Sequence, residues 1–272
     1  MASVKITKKK PPKRHRHAVT TVTQSRSAIF APTLRPTANT ATVVVETHWA
    51  KATISRVQLT QVHRDILDVL FTHVEPHYRG DGSVAFVFHP HAILKKIHQT
   101  GNNVQWLKKK FDDLEAAGLE VSTPKYTVRT SIVRKHAWTA DSSEYAVILE
   151  SEYIRFFRDD MRVHSEALTD KIIALKHATT KAVVRFVISH RSWHRLMAET
   201  LDAVAYVGGE RNRRIAAAKI VSEGDILERD FGIRIARGRL DYEQHARVWF
   251  EGPGSFPIGD RFERNRGSDR SQ

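Results

Sequence analysis

Gly101-Asn-Asn-Val-Gln-Trp-Leu-Lys-Lys-Lys-Phe-Asp-Asp-Leu-Glu-Ala-Ala-Gly-Leu-Glu-Val121 and Gly209-Glu-Arg-Asn-Arg-Arg-Ile-Ala-Ala-Ala-Lys-Ile-Val-Ser-Glu-Gly224 read alike. In each, a Gly-containing turn opens an amphipathic helix, and a second Gly (Gly118 or Gly224) stands where the helix should stop. An extended run follows, Leu119–Ser122 in one case and Asp225–Ile235 in the other.

A helix that fixes itself by one apolar stripe, shows a polar face and leads into strands suits the recognition helix and wing of a winged helix. Working outward from the first copy, Thr60 is an N-cap candidate, and Val62, Ile66, Leu67, Val69, Leu70 and Val74 recur at helical spacing. Pro76 blocks continuation, Arg79-Gly-Asp-Gly82 turns, and Ser83–Phe88 is a short strand. Pro90 opens another helix. Val104, Leu107, Phe111 and Leu114 are the inward stripe of the lysine helix. Leu119–Ser122 and Tyr126–Trp138 read as the wing strands, with Glu144–Glu150 beside them.

Around the second copy, Leu168–Leu175 leads into a helix over 179–190, and Glu199–Val207 forms the next. Gly208-Gly209 turns into the arginine helix, expected to pack Ile215, Ala218 and Val221, with Gln244–Phe250 as a further wing strand. Residues 42–57 are β-branched and read as one or two strands. The expected fold class is therefore α+β: two tandem winged-helix domains, 41–152 and 153–252, behind a disordered basic arm (1–40) and before a flexible tail (253–272).

The net charge of +14 is lopsided. Residues 1–35 hold nine Lys and Arg and no acid, which leaves +5 on the rest. Such an arm makes binding to phosphates salt-dependent without choosing a sequence; its plain alternative is a solubilising tail. The absence of cysteine excludes disulfides and thiolate metal sites and fits a reducing cytoplasm. No run approaches a membrane span, so no membrane partner is expected.

The first helix offers Asn102, Asn103, Gln105, Trp106, Lys108, Lys109 and Lys110 near its entering end, with its acids Asp112, Asp113 and Glu115 farther along. Asn and Gln pair bidentately with adenine, while Lys reaches guanine or phosphate. The second offers Arg211, Asn212, Arg213, Arg214 and Lys219, and the arginine fork matches guanine O6 and N7. Arg129 in the first wing, with Lys125, Arg134 and Lys135, and Arg237 in the second, with Arg234 and Arg239, are expected to lie along the backbone. Each helix also reads as an ordinary solvated surface helix laced by i, i+4 pairs.

No P-loop is present, and no enzyme activity, cofactor or metal is expected. His89-Pro-His91 resembles the metal-holding pair of nicking initiators and relaxases, with Tyr153 or Tyr206 as the conceivable nucleophile, but Pro90 fits a helix start better.

The order of two winged helices behind a basic arm resembles the plasmid replication initiators. Glu199–Gly209 leading into Arg211–Val221 and a strand is similar to the C-terminal part of the TrfA type. That resemblance implies binding of duplex DNA at origin repeats, opening of an adjacent AT-rich tract, and recruitment of the host replication initiator and replicative helicase, with a homodimer as a second form. A winged-helix transcriptional regulator, a nicking enzyme built on His89 and His91, and a structural nucleoid protein are the competing classes.

Overall fold

The computed structural model describes residues 20–21, 25–26, 29–33, 43–46, 51–99, 103–122, 127–141, 143–158, 162–163, 166–206 and 208–244. The fold is α+β, with antiparallel sheets and two hydrophobic cores.

The first core is built on α1 (Gln61–His73), whose Thr60 N-cap donates its backbone N–H to His63 Nδ1 at 2.9 Å. β4 (Pro76–Tyr78) begins at the proline that cannot continue a helix, and Gly82, at φ 84°, turns the chain into β5 (Val84–Phe88). α2 (Pro90–Lys96) opens on Pro90, and α3 (Val104–Ala116) follows. Leu107, Phe111 and Leu114 of α3 are fully buried with Ile66, Leu70 and Phe86. Truncating Phe111 to Ala would cost about 3–5 kcal/mol.

After α3 the expected wing is not one hairpin. β6 (Gly118–Ser122) and β7 (Thr127–Thr130) pair with each other and join β2 (Val43–Glu46) and β3 (Lys51–Ser55) in a separate sheet, ordered β2-β3-β6-β7. The run 126–138 splits at Ser131 and Ile132. Only β8 (Val133–Trp138) returns to the first sheet, where it pairs with β9 (Tyr145–Leu149) in the order β4-β5-β9-β8. Gly118 is not a left-handed stop. A Cβ there would lie 2.7 Å from Ser55 Oγ, so a larger residue would make that hydroxyl turn away where β6 pairs with β3.

α4 (Ser151–Arg158) contains the expected boundary at 152/153, and its Tyr153 is buried in the first core. α5 (Glu166–Ala174) feeds both cores, Ile173 the first and Ile172 the second. α6 (Ala178–Ile188) is buried along all of its length. β11 (Ser192–Leu196), α7 (Met197–Ala203), α8 (Glu210–Val221), α9 (Gly224–Phe231), β12 (Arg234–Ala236) and β13 (Arg239–Glu243) complete the second half, with sheet order β11-β13-β12.

Two expectations fail here. Asp225–Ile235 is not one strand: its first part is helix α9, because Leu227 and Phe231 are spaced four apart and both are buried. Gly224 starts that helix, and the left-handed stop is Gly232, at φ 68°. The expected strand Gln244–Phe250 lies, apart from Gln244, outside the described residues.

With β4 set aside, the two halves share an order: helix, strand, helix, helix, then two strands, with β5 paired to β9 and β11 to β13. They differ further in what separates the third helix from the hairpin: β6 and β7 in one half, α9 in the other.

α1 and α6 face each other across the seam through charge. Lys181 and Arg185, one turn apart on α6, meet Gln61, Asp65 and Asp68 on α1. Lys181 Nζ lies 2.6 Å from Asp65, and Arg185 Nη2 lies 2.6 Å from Asp65 and 2.8 Å from Asp68.

The arm is also corrected in part. β1 (Thr20–Thr21) pairs with β10 (Arg162–Val163). Ile29 and Phe30 are buried in the first core, and Ala31 takes the backbone N–H bond to Leu59 O at 2.8 Å. The apolar Ile29 and Phe30 are what pull this stretch out of water. Residues 1–19, 22–24, 27–28 and 34–40 of the arm, and the tail from 245 onward, lie outside the described residues.

Candidate nucleic-acid interface

α3 turns Gln105 and Lys109 outward. Lys108 is half-exposed and sets its ammonium 4.3 Å from the ring centroid of Trp138, at the end of β8. Trp106 is half-buried against the first core, so it helps anchor the helix. Asn103 is the half-exposed N-cap, and Asn102 lies outside the described residues.

Lys110 does not face outward. It is 8% exposed, and its Nζ donates to Asp113 Oδ2 at 2.8 Å, which also takes His63 Nε2 at 3.1 Å. Burial opposes the charge on Asp113, but the bonds from His63 and Lys110 outweigh it and hold the carboxyl at about 2. Burial lowers His63 and keeps it neutral, its Nε2 proton pointing at Asp113. The i+3 position of Asp113 is the signal that could have shown Lys110 to be a fastening side chain. Asp112 and Glu115, both exposed, flank His136 Nε2 at 3.1 and 3.3 Å, which makes the far half of the outer face acidic.

α8 is held by less. Its buried residues are Ala216 and Ile220, so the inward stripe lies one position away from the expected Ile215–Ala218–Val221. Ile215 is 45% exposed, and Ala218 and Val221 are also outside. Arg211, Asn212, Arg214 and Lys219 face solvent, with Arg214 paired to Glu210 one turn back. Arg213 is committed instead: it bridges Asp202 of α7 and donates from Nε to Gly208 O at 3.2 Å. Gly208 lets the turn close, since a Cβ there would meet Tyr206 at 2.9 Å. The outward Ile215 and Ala218 were missed as candidate contacts; beside arginines they suit thymine methyl groups. The four-residue spacing of Ala216 and Ile220 was the available signal.

The hairpins differ at their tips. β12 and β13 are joined by Arg237 and Gly238, at φ 50° and 74°, the two left-handed residues of a tight turn that puts Arg237 at the exposed end. Arg234 pairs with Glu228 at 3.0 Å, and Arg239 is exposed. The β8–β9 tip carries Asp141, whose bonds from Thr139 and then Ser143 hold its carboxyl at about 2. Arg134 is tied to Asp81 and Glu150, Lys135 is exposed, and Lys125 lies outside the described residues. Arg129 sits on β7 beside Glu120, away from this hairpin.

His89 caps α2 by accepting from the His91 N–H at 3.3 Å. Tyr153 is buried, and the Tyr206 hydroxyl donates to Asn212 O at 3.2 Å. Among the described residues no three His, Asp or Glu side chains stand as a metal-holding group, and no helix is long and apolar enough to cross a membrane.

No protein-family model matches this chain, and no curated protein matches it. Among solved structures it is similar to a crystal structure of domains 2 and 3 of RctB, with 12% identity and a TM-score of 0.54. The match covers 85% of this chain and 96% of that one, so the likeness is one of fold across both halves.

Proposed function

We propose that the chain is a sequence-specific duplex DNA-binding protein that acts as a replication initiator. Its two halves are tandem winged helices, α3 and α8 are their recognition helices, and β8–β9 and β12–β13 are their wings. The observation that carries this reading is the repeated order of helix, strand, helix, helix and hairpin, with donors exposed on the third helix in both copies. The fold likeness to domains 2 and 3 of RctB, which spans both halves, supports the two-part frame of this reading.

The readers we assign are Gln105, Lys108 and Lys109 in the first half and Arg211, Asn212, Arg214 and Lys219 in the second, with Arg237 on the backbone. Two such helices seat in successive major grooves of repeated origin sites. The bound array bends the adjacent AT-rich tract, and the host initiator and helicase complete the opening. The chain contributes binding energy and no nucleotide hydrolysis, and it works in the cytoplasm as a monomer on repeats or as a homodimer.

Footprinting on DNA that carries direct repeats beside an AT-rich tract tests this reading. Protection of the repeats with permanganate reactivity in the tract is the expected result. Protection without reactivity would make the protein a transcriptional regulator, the reading that the same helices support next.

A further inference from the structure

We propose that the seam between the two cores is a binding site for a small inorganic oxyanion of the phosphate or sulfate class. A small solvent-open pocket of about 20 Å³ lies there, walled by Ser25, Arg26, Phe30, Gln61, Arg64 and Arg185.

Arg64 is 1% exposed. Its Nε donates to Asp68 at 2.8 Å, and its Nη2 has no hydrogen-bond partner. Ser25 Oγ, on the same wall, is likewise buried and unpartnered. Two orphaned donors thus line one cavity, and a buried donor left unsatisfied is costly.

Charge points the same way. Three buried cations, Arg64, Lys181 and Arg185, face two buried carboxylates, Asp65 and Asp68. One positive charge is left over in a place where an unmatched ion is costly. Arg26 stands at the rim, where it is exposed and bonds Ser189. Burial, and then the Arg26 charge, lower the neighbouring His190, which disfavours a further positive charge on that ring. Water would satisfy the donors and leave the charge. An oxyanion answers both, because its several acceptor oxygens match a guanidinium fork and a hydroxyl together.

An ion held there also ties residues 25–33 to α1 and α6. The tie already has protein bonds in place, from Gln61 Nε2 to Phe30 O at 2.7 Å and from Thr179 Oγ1 to Pro32 O at 3.2 Å. Occupation therefore couples the two cores to each other and to the N-terminal segment. None of this depends on the DNA reading.

The test is thermal melting and titration calorimetry of the full chain with phosphate, with sulfate and with chloride at fixed ionic strength. Phosphate or sulfate should raise the melting temperature saturably, by about 5–10 °C at a hundred times Kd. Arg26→Gln should weaken Kd roughly tenfold, the loss of one charge-assisted partner, and Ser25→Ala by a smaller factor. Arg64→Gln should abolish binding but also leaves Asp68 with Arg185 alone, so the Arg26 and Ser25 variants, checked by circular dichroism, carry the decision. Equal shifts with chloride, or unchanged Kd in both of those variants, would overturn the site.

Discussion

The lysine helix and the arginine helix occupy the same place in their two halves but are fastened differently. α3 buries Leu107, Phe111 and Leu114 and adds the Lys110–Asp113–His63 contact. α8 buries only Ala216 and Ile220, and it uses Arg213 to clip itself to α7. Most of the circumference of α8 therefore stays outside, apolar Ile215 and Val221 included. The hairpins repeat the contrast, with an ionised Asp141 at one tip and Arg237 at the other. A cation and an anion of equal reach act oppositely on a phosphate backbone. We infer that the second half reads DNA closely while the first positions it.

The contrast presumes that the halves are held as one unit, and the largest expected effect attacks that. Arg185→Ala leaves Asp65 and Asp68 with one cation fewer in a buried seam. Urea unfolding should show a loss of about 3–5 kcal/mol; a loss below about 1 kcal/mol would mean that the seam does not join the halves. Next in size are the readers. Arg211→Ala and Arg214→Ala should each cost roughly 1–3 kcal/mol on a specific site and little on random DNA, while Lys109→Ala weakens both alike. Equal behaviour of the three in competition binding would erase the difference between the helices. Arg213→Ala should instead appear as a lower melting temperature, because its side chain holds α8 on α7.

Much of this frame was legible in the chain. Thr60, Pro76, Pro90 and the 104–107–111–114 stripe set real boundaries and a real face, because caps, prolines and large apolar residues act locally. The failures lie where local signals are weak or tertiary. In α8 the run Ile215-Ala-Ala-Ala offers no contrast in size, and the inward face is decided by what α6 and α7 present to it. Asp225–Phe231 has β-compatible residues, yet its four-residue spacing buries Leu227 and Phe231 as a helix. The separate sheet β2-β3-β6-β7 joins strands about 65 residues apart, which no local pattern records. At the candidate site, exposure of charge was foreseen, but commitment was not: Lys110 and Arg213 look like their neighbours and differ in being drawn in, Lys110 onto Asp113 beside the buried His63 and Arg213 onto Asp202 of α7.

That commitment in the first half has a pH signature. His63 is lowered by burial, so its folded form resists the proton that the unfolded chain accepts below about 6.5. Its contribution is present above that value and is lost as pH falls through it. Asp113, held at about 2, adds a contribution present above the unfolded value of about 3.9 and lost as pH falls toward 2. Urea midpoints should therefore decline from pH 7.5 to 5 in the wild type and stay flatter in His63→Gln. Parallel declines would assign the acid sensitivity elsewhere.

The smallest effects are expected at the hairpin tips, and they separate the halves most directly. Arg237→Ala should reduce the slope of log affinity against log salt by about 1, the loss of a single phosphate contact. Asp141→Asn removes a repelling charge that touches no phosphate, so the slope should hold while affinity rises about twofold at low salt. Because Asp141 also gathers Thr139 and Ser143 into the turn, Asn keeps an acceptor there and changes the charge with least disturbance to the hairpin. A steeper slope in Asp141→Asn would place the first tip against the backbone as well, and the two halves would then grip DNA in the same way.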